Sequence, residues 1–364
     1  MTKRMGRDMN YLSDEILQKV QIEALYNIYL YLIHKMSPNK DISFQEIIHD
    51  LEYSFTKNPQ KWNNPDIQRL NILKNAISSN NILANSKICD LTYSKNGLTA
   101  CSFARPCGNI SVVFKGTGSG EWIDNGEGLS GIPEENTYIT YSKNGSSVHS
   151  KTVKKDYATD QQVEALNWFR KIVAENEWSF RTSITVSGHS KGGNKAQFVA
   201  INSDLVDDCY SFDGQGFSPE ALIALKKQYG AKYEERRQRI RSFCANNDYV
   251  NVLGKYLVPE NHIYYFDSRH DFHYLEAILN ENGSFRVQKE QGNLSQYVQK
   301  LSDELMNMNP LIRQYATLGI MNIFQKYLGK GEPVNQDSVS IEKTIAGLGI
   351  AIGTFLQHLP KIKK

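Results

Sequence analysis

Ser183-Ile-Thr-Val-Ser-Gly-His-Ser-Lys-Gly-Gly193 is the stretch on which the fold turns. Ser183–Val186 has the apolar, β-branched character of a buried strand, and the residues after Ser190 read as a helix. Between them, Gly188-His189-Ser190-Lys191-Gly192 fits G-x-S-x-G, the pattern of a nucleophile elbow. Such a turn is tight enough to force the serine into a strained backbone conformation. The residues two before and two after it must then be small, so that neighbouring backbone is not struck. The hydroxyl is left above the carboxyl end of the sheet and the positive end of the next helix. The competing reading is a glycine-rich turn with an incidental serine; the strand, turn, helix order favours the nucleophile.

A serine hydroxyl needs a base, and the base needs an acid to orient it. Downstream the chain offers both in the order Ser, Asp, His. Strand Ile240–Ala245 runs into Asp248, and strand His262–Asp267 runs into His270. Asp213, before Gly214-Gln-Gly216, is the rival acid and reads better as a turn residue. His273 is the rival base, placed in the first turn of a helix starting near Asp271. His270 is preferred because a strand-end loop suits a base better. His189, inside the elbow, is expected to orient the turn. Acyl transfer also needs donors for the oxyanion. The N–H of Lys191 is one candidate, and Thr117 in Gly116-Thr-Gly-Ser-Gly120, after strand Ile110–Lys115, is the other. A phosphate-binding reading of this glycine loop fails because no G-K-[ST] follows and no helix is expected there.

Outward from the elbow, strands and helices alternate. Ile88–Ser94 and Leu98–Ala104 form a hairpin about Lys95-Asn-Gly97, and Thr159-x-x-Gln162 caps a helix. Strand Asp208–Phe212 follows the elbow helix, and Ser218-Pro219 opens another helix. The pattern predicts an α/β-hydrolase fold: a mostly parallel sheet with helices on both faces, plus helical N- and C-terminal extensions. The division is 1–85 helical, 86–285 hydrolase core and 286–364 helical. In the first part, Ile16, Val20, Leu25, Ile28, Leu32 and Met36 give one apolar helix face, Ser43-x-x-Glu46 is a capping box, and a third helix lies around 65–75. In the last, helices are expected over 293–308, 311–328 and 340–356, with no strand after about 285.

The 364 residues carry 42 basic and 39 acidic side chains, a net charge of +3, which gives no electrostatic case for nucleic acid. Five cysteines without a CxxC argue against a disulfide framework or zinc site and for free thiols. No signal peptide and no apolar run of about 18 residues are read, so a cytoplasmic location is expected. The segment Glu121–Asp156 is long, polar and dotted with aromatics; it reads as irregular, either a lid over an acyl chain or a surface excursion. Helix 344–356 with Lys361, Lys363 and Lys364 suits peripheral membrane contact, though packing against the body or another subunit is preferred.

Four segments together resemble a known family: Phe114-Lys-Gly-Thr117, Gly188-His-Ser-Lys-Gly-Gly-Asn194, Tyr210-Ser-Phe-Asp-Gly-Gln-Gly-Phe-Ser218 and His270-Asp-Phe. They are similar to the lipase-like α/β-hydrolases of the bacterial DUF2974 (Mbeg1-like) group, distantly related to class 3 lipases. The chain differs at Lys115, Gln215 and Leu275, where members commonly have Arg, Pro and Trp. The resemblance implies a serine hydrolase with Ser190 as nucleophile, His270 as base and Thr117 in the oxyanion hole; Asp248 fits the acid by position. The expected substrate is a carboxylic, lipid-like acyl ester, with no metal or cofactor. The competing readings are a catalytically silent protein that mediates protein or membrane association, and a thioesterase or peptidase.

Overall fold

The computed structural model describes residues 12–36, 39–94, 97–118, 121–141, 148–268 and 273–328, with the side chains of 148–149 and 322–328 left aside. In chain order, helices α1 (Asp14–Leu32), α2 (Phe44–Lys57), α3 (Asn64–Ile77) and α4 (Asn81–Ala84) precede strands β1 (Lys87–Thr92), β2 (Ala100–Ala104) and β3 (Ile110–Phe114). Then come α5 (Trp122–Ser130), β4 (Glu134–Tyr141), β5 (Val148–Asp156), α6 (Asp160–Glu175), β6 (Ile184–His189), α7 (Lys191–Ile201) and β7 (Asp208–Phe212). The remainder is α8 (Pro219–Tyr229), α9 (Ala231–Arg237), β8 (Ile240–Ala245), β9 (Ile263–Phe266), β10 (Gln288–Lys289), α10 (Asn293–Asn307) and α11 (Pro310–Leu328). The expected helix over 340–356 and the turn residues Lys95 and Asn96 lie outside the described residues.

The main sheet has the order β1-β2-β3-β6-β7-β8-β9-β10. Its five central strands, β3 to β9, are parallel; β1, β2 and β10 are antiparallel edges. This is the mostly parallel α/β-hydrolase arrangement that the alternation predicts. The pleat divides each strand between two cores. In β3, Val113 faces one cluster with α1, α2 and α3, while Val112 and Phe114 face the other with α6 and α7. The strand β10 corrects the expectation that strands end near 285: Gln288 and Lys289 pair with Phe266 and Tyr265.

The N-terminal helices form one of the two layers that cover the sheet. From Ile22 to Leu30 every residue of α1 is buried, including Glu23 and Asn27. Glu23 Oε1 accepts from Ser111 (2.6 Å) and pairs with Arg105, and its Oε2 accepts from Ser187 (2.6 Å). Asn27 Nδ2 also donates to Ser187, at 3.0 Å. Burial pushes the Glu23 carboxyl up, and Arg105, Ser111 and Ser187 only partly offset it. One carboxylate thus fixes the register of α1 over β3 and β6, the two strands that lead into the functional loops.

The described residues of the segment 121–156, read as irregular, form α5 and the paired strands β4 and β5. Polar groups from the body fix both. Asn167 of α6 accepts from Ile139 N (3.0 Å) and donates to Thr137 O (2.9 Å), which docks the hairpin on α6. On α5, Gly126 lies under Thr317, Leu318 and Met321 of α11, where a Cβ would stand 3.1 Å from each. Buried Arg313 completes the clamp, donating to Ser130 O (3.0 Å) and Met306 O (2.7 Å) and pairing with Glu220. Cys101, Cys209 and Cys244 are buried free thiols. Among the described residues no helix is long and apolar enough to cross a membrane.

Candidate active site

Ser190 sits between β6 and α7 with φ 58° and ψ −126°, a left-handed conformation that costs a non-glycine residue of order 1–3 kcal/mol. It is held there because Ser190 N–H donates to Phe212 O (2.8 Å) while its carbonyl accepts from Gly193 (2.9 Å) and Asn194 (3.2 Å). The flanking glycines are needed for space. A Cβ on Gly188 would lie 2.0 Å from Gly192 O, and one on Gly192 would lie 2.0 Å from Phe114 O. Both obstacles are backbone and cannot swing away. Gly188→Ala is therefore expected to lower stability by about 1–3 kcal/mol, measured by denaturant unfolding. A wild-type midpoint would show that the turn has room to spare.

Asp248 is fully buried beyond β8, where its N–H donates to Ala245 O (3.0 Å). Its Oδ2 accepts from Val250 N (2.9 Å) and Asn251 N (2.6 Å), leaving Oδ1 for a third partner. That partner is His273, whose Nδ1 lies 2.7 Å from Oδ1 and whose Nε2 lies 2.8 Å from Ser190 Oγ. An ionised carboxylate only accepts, so Nδ1 carries the proton and Nε2 is the acceptor facing the serine. Ser190 is 9% exposed, and His273 stacks obliquely against Tyr249 and His189, with centroids 5.6 and 5.1 Å away.

The imidazole that meets Ser190 therefore belongs to His273, which corrects the preference for His270; His270 itself lies outside the described residues. The physical reason is reach. Ser268 is tied to Asn246 at the end of β8 (2.8 Å), and β8 is two strands from β6, about 10 Å. His273 lies five residues beyond that tie, far enough along the chain to cross β7 and present its ring to Ser190. Buried Leu275 and Ile278 then anchor the returning segment. Asp213 does not touch His273. It stands at φ 46° after β7 and accepts from Ala245 N (2.8 Å), and burial followed by the Asp248 charge pushes its carboxyl far up.

On the other side of Ser190, Gly116 brings the loop after β3 into contact. A Cβ there would lie 2.5 Å from Tyr31 Oη and 3.3 Å from Ser190 Cβ. Thr117, the next residue, accepts at Oγ1 from Asn125 Nδ2 (3.1 Å), and Gln215 Nε2 donates to Asn125 O (2.9 Å). Gln215 thus holds α5 in place. Gly118 N–H donates to Glu121 (2.5 Å), which pairs with buried Lys195 (2.9 Å). Lys191, at the first position of α7, has an amide with no intrahelical acceptor, while its buried ammonium pairs with Asp124 of α5. Asp124 also accepts from Thr159 Oγ1 (2.9 Å) and Gln161 N (3.0 Å).

Sequence reasoning missed these partners. The signal was there: two lysines four residues apart on a short helix with no acidic residue of its own, rich in Gly, Ala and other apolar residues, require buried acids. It also missed Tyr31 of α1, whose hydroxyl lies 2.6 Å from His189 Nδ1. Burial, then His273 and Arg69, pushes His189 far down, so it stays neutral beside His273. Among the described residues no group of three or more His, Cys, Asp or Glu is arranged to hold a metal ion.

Residues 150–268 match the family model of the Mbeg1-like proteins. The Mbeg1-like segment contains the elbow, Ser190 and Asp248; Thr117 and His273 lie beyond its two ends. The crystal structure of M37 lipase is similar at 11% identity and a TM-score of 0.32, covering 96% of this chain and 94% of that one. A score that low carries no argument about fold or activity. No curated protein matches the chain.

Glu127 of α5 gives the stability of the fold a pH dependence. Burial, then Glu134 and Asp124, push its carboxyl up to about 8, with Lys191 opposing. An unfolded glutamate titrates near 4.3, so the stability tied to its proton is full below that pH and lost as the pH rises through about 8. Glu127→Gln needs no proton. Its unfolding midpoint is expected to fall less than that of the wild type between about pH 5 and pH 8. Parallel curves for the two proteins would remove Glu127 as the cause.

Proposed function

We propose that the chain is a serine hydrolase of carboxylic esters, with lipid-like acyl esters as its substrate class. The observation that carries this reading is the continuous hydrogen-bonded line Ser190 Oγ, His273, Asp248 at 2.8 and 2.7 Å. In the proposed cycle Ser190 Oγ attacks the acyl carbonyl and its proton passes to His273 Nε2. Asp248 holds the ring and balances the imidazolium. The backbone N–H groups of Lys191 and Thr117 receive the oxyanion, supported by the positive end of α7. The alcohol leaves with the proton from Nε2, and water, activated by the same imidazole, releases the acid. No step uses a metal or cofactor.

The lipid-like assignment draws support from the Mbeg1-like match over residues 150–268 and from the four segments that resemble lipase-like α/β-hydrolases. Turnover of a p-nitrophenyl ester series, with wild type and Ser190→Ala side by side, tests the reading. The expected result is hydrolysis that rises with acyl length and disappears in Ser190→Ala. Cleavage confined to thioesters or peptides would reassign the substrate class. Turnover that survives in Ser190→Ala would remove the mechanism.

A further inference from the structure

A cavity of about 930 Å³ lies between the β4–β5 hairpin and helices α6, α7 and α8. None of Ser190, Asp248 or His273 lines it. Its size is at the upper end of ligand pockets, and its lining is mixed: the buried side chains of Phe169, Phe198 and Leu225 lie beside polar groups of the hairpin and of α6 and α8.

The charged groups that face the cavity are Arg170, Lys154, Arg236, Asp156, Asp204 and Glu177. Most are already satisfied. Arg236 pairs with Asp204 (2.7 Å), which also takes Lys232, and Asp156 accepts from Asn136 (2.7 Å) and Tyr138 Oη (2.8 Å). Lys154 lies over the Tyr138 ring at 5.3 Å, and Glu177 is exposed at the rim. Arg170 differs. Its guanidinium stands 6.0 Å from the Tyr138 ring, its charge neighbours are the Tyr229 and Tyr138 hydroxyls, and no carboxylate among the described residues pairs with it. Half-buried and desolvated, it is a planar five-donor fork without an anion.

We propose that this cavity binds a long-chain carboxylate, its chain against Phe169, Phe198 and Leu225 and its headgroup on Arg170. A carboxylate takes two parallel N–H bonds from the fork, and an acyl chain packs against these apolar side chains. The site is separate from the hydrolytic one and does not depend on that reading.

Calorimetric titration of the full chain with dodecanoate, and with dodecanol as the uncharged twin, tests it. The expected result is one dodecanoate per chain, with binding at least about tenfold weaker for dodecanol and for Arg170→Gln, the loss of a charge-assisted pair. Ala224→Trp, which fills the cavity from α8, should abolish binding and provides a second route if Arg170→Gln unfolds early. Absence of binding to the wild type overturns the proposal. So does affinity unchanged in a folded Arg170→Gln, equal affinity for the alcohol, or binding that survives in Ala224→Trp.

Discussion

His273→Ala is expected to lower kcat for ester hydrolysis by about 10⁴-fold or more, with KM and the unfolding midpoint close to wild type. The imidazole makes both bonds that convert the hydroxyl into a nucleophile: it accepts at 2.8 Å from Ser190 and donates at 2.7 Å to Asp248. Removing it leaves a neutral serine in water at the same position, and the oxyanion donors alone retain a small residual rate. The change falls on kcat because substrate binding uses other surfaces. His270→Ala is expected to cost far less, and the contrast between the two variants carries the information. A large loss in His270→Ala together with near-normal rates in His273→Ala would reverse the assignment.

Glu23→Ala is expected to destabilise the protein by about 3–5 kcal/mol, because it leaves Arg105 buried and uncompensated. Ser111 and Ser187 would lose their acceptor at the same time. A typical domain is stable by only about 5–15 kcal/mol, so this substitution consumes much of the margin. Denaturant unfolding measures it directly. Replacing Glu23 and Arg105 together with apolar residues should cost less than Glu23→Ala alone, since no charge is then stranded. A double variant as unstable as the sum of the single ones would show that the two residues act independently.

Local rules made much of the fold legible. The capping boxes Ser43–Glu46 and Thr159–Gln162 and the Ser218-Pro219 start each open a helix, because a side chain that satisfies an orphan amide acts within one turn. The elbow was legible for a similar reason, since Gly188 and Gly192, the small residues its turn requires, lie within two positions of Ser190. What failed to show depends on distance. That His273 meets Ser190 rests on contacts across 25 and 83 positions, to Asp248 and to Ser190 itself. The burial of Glu23 and Asn27 inside α1 breaks the amphipathic pattern, and it makes sense only against serines more than 80 positions away. The hairpin β4–β5 was missed because its strands carry lysines and glutamates on a largely exposed surface, which leaves little hydrophobic alternation to read.

Covalent labelling by a fluorophosphonate, with the modified residue located by mass spectrometry, tests the central claim most directly. The predicted result is a single adduct on Ser190, absent in Ser190→Ala and formed far more slowly in His273→Ala, with all three proteins folded. An adduct on another residue, or equal labelling of Ser190→Ala, would contradict it.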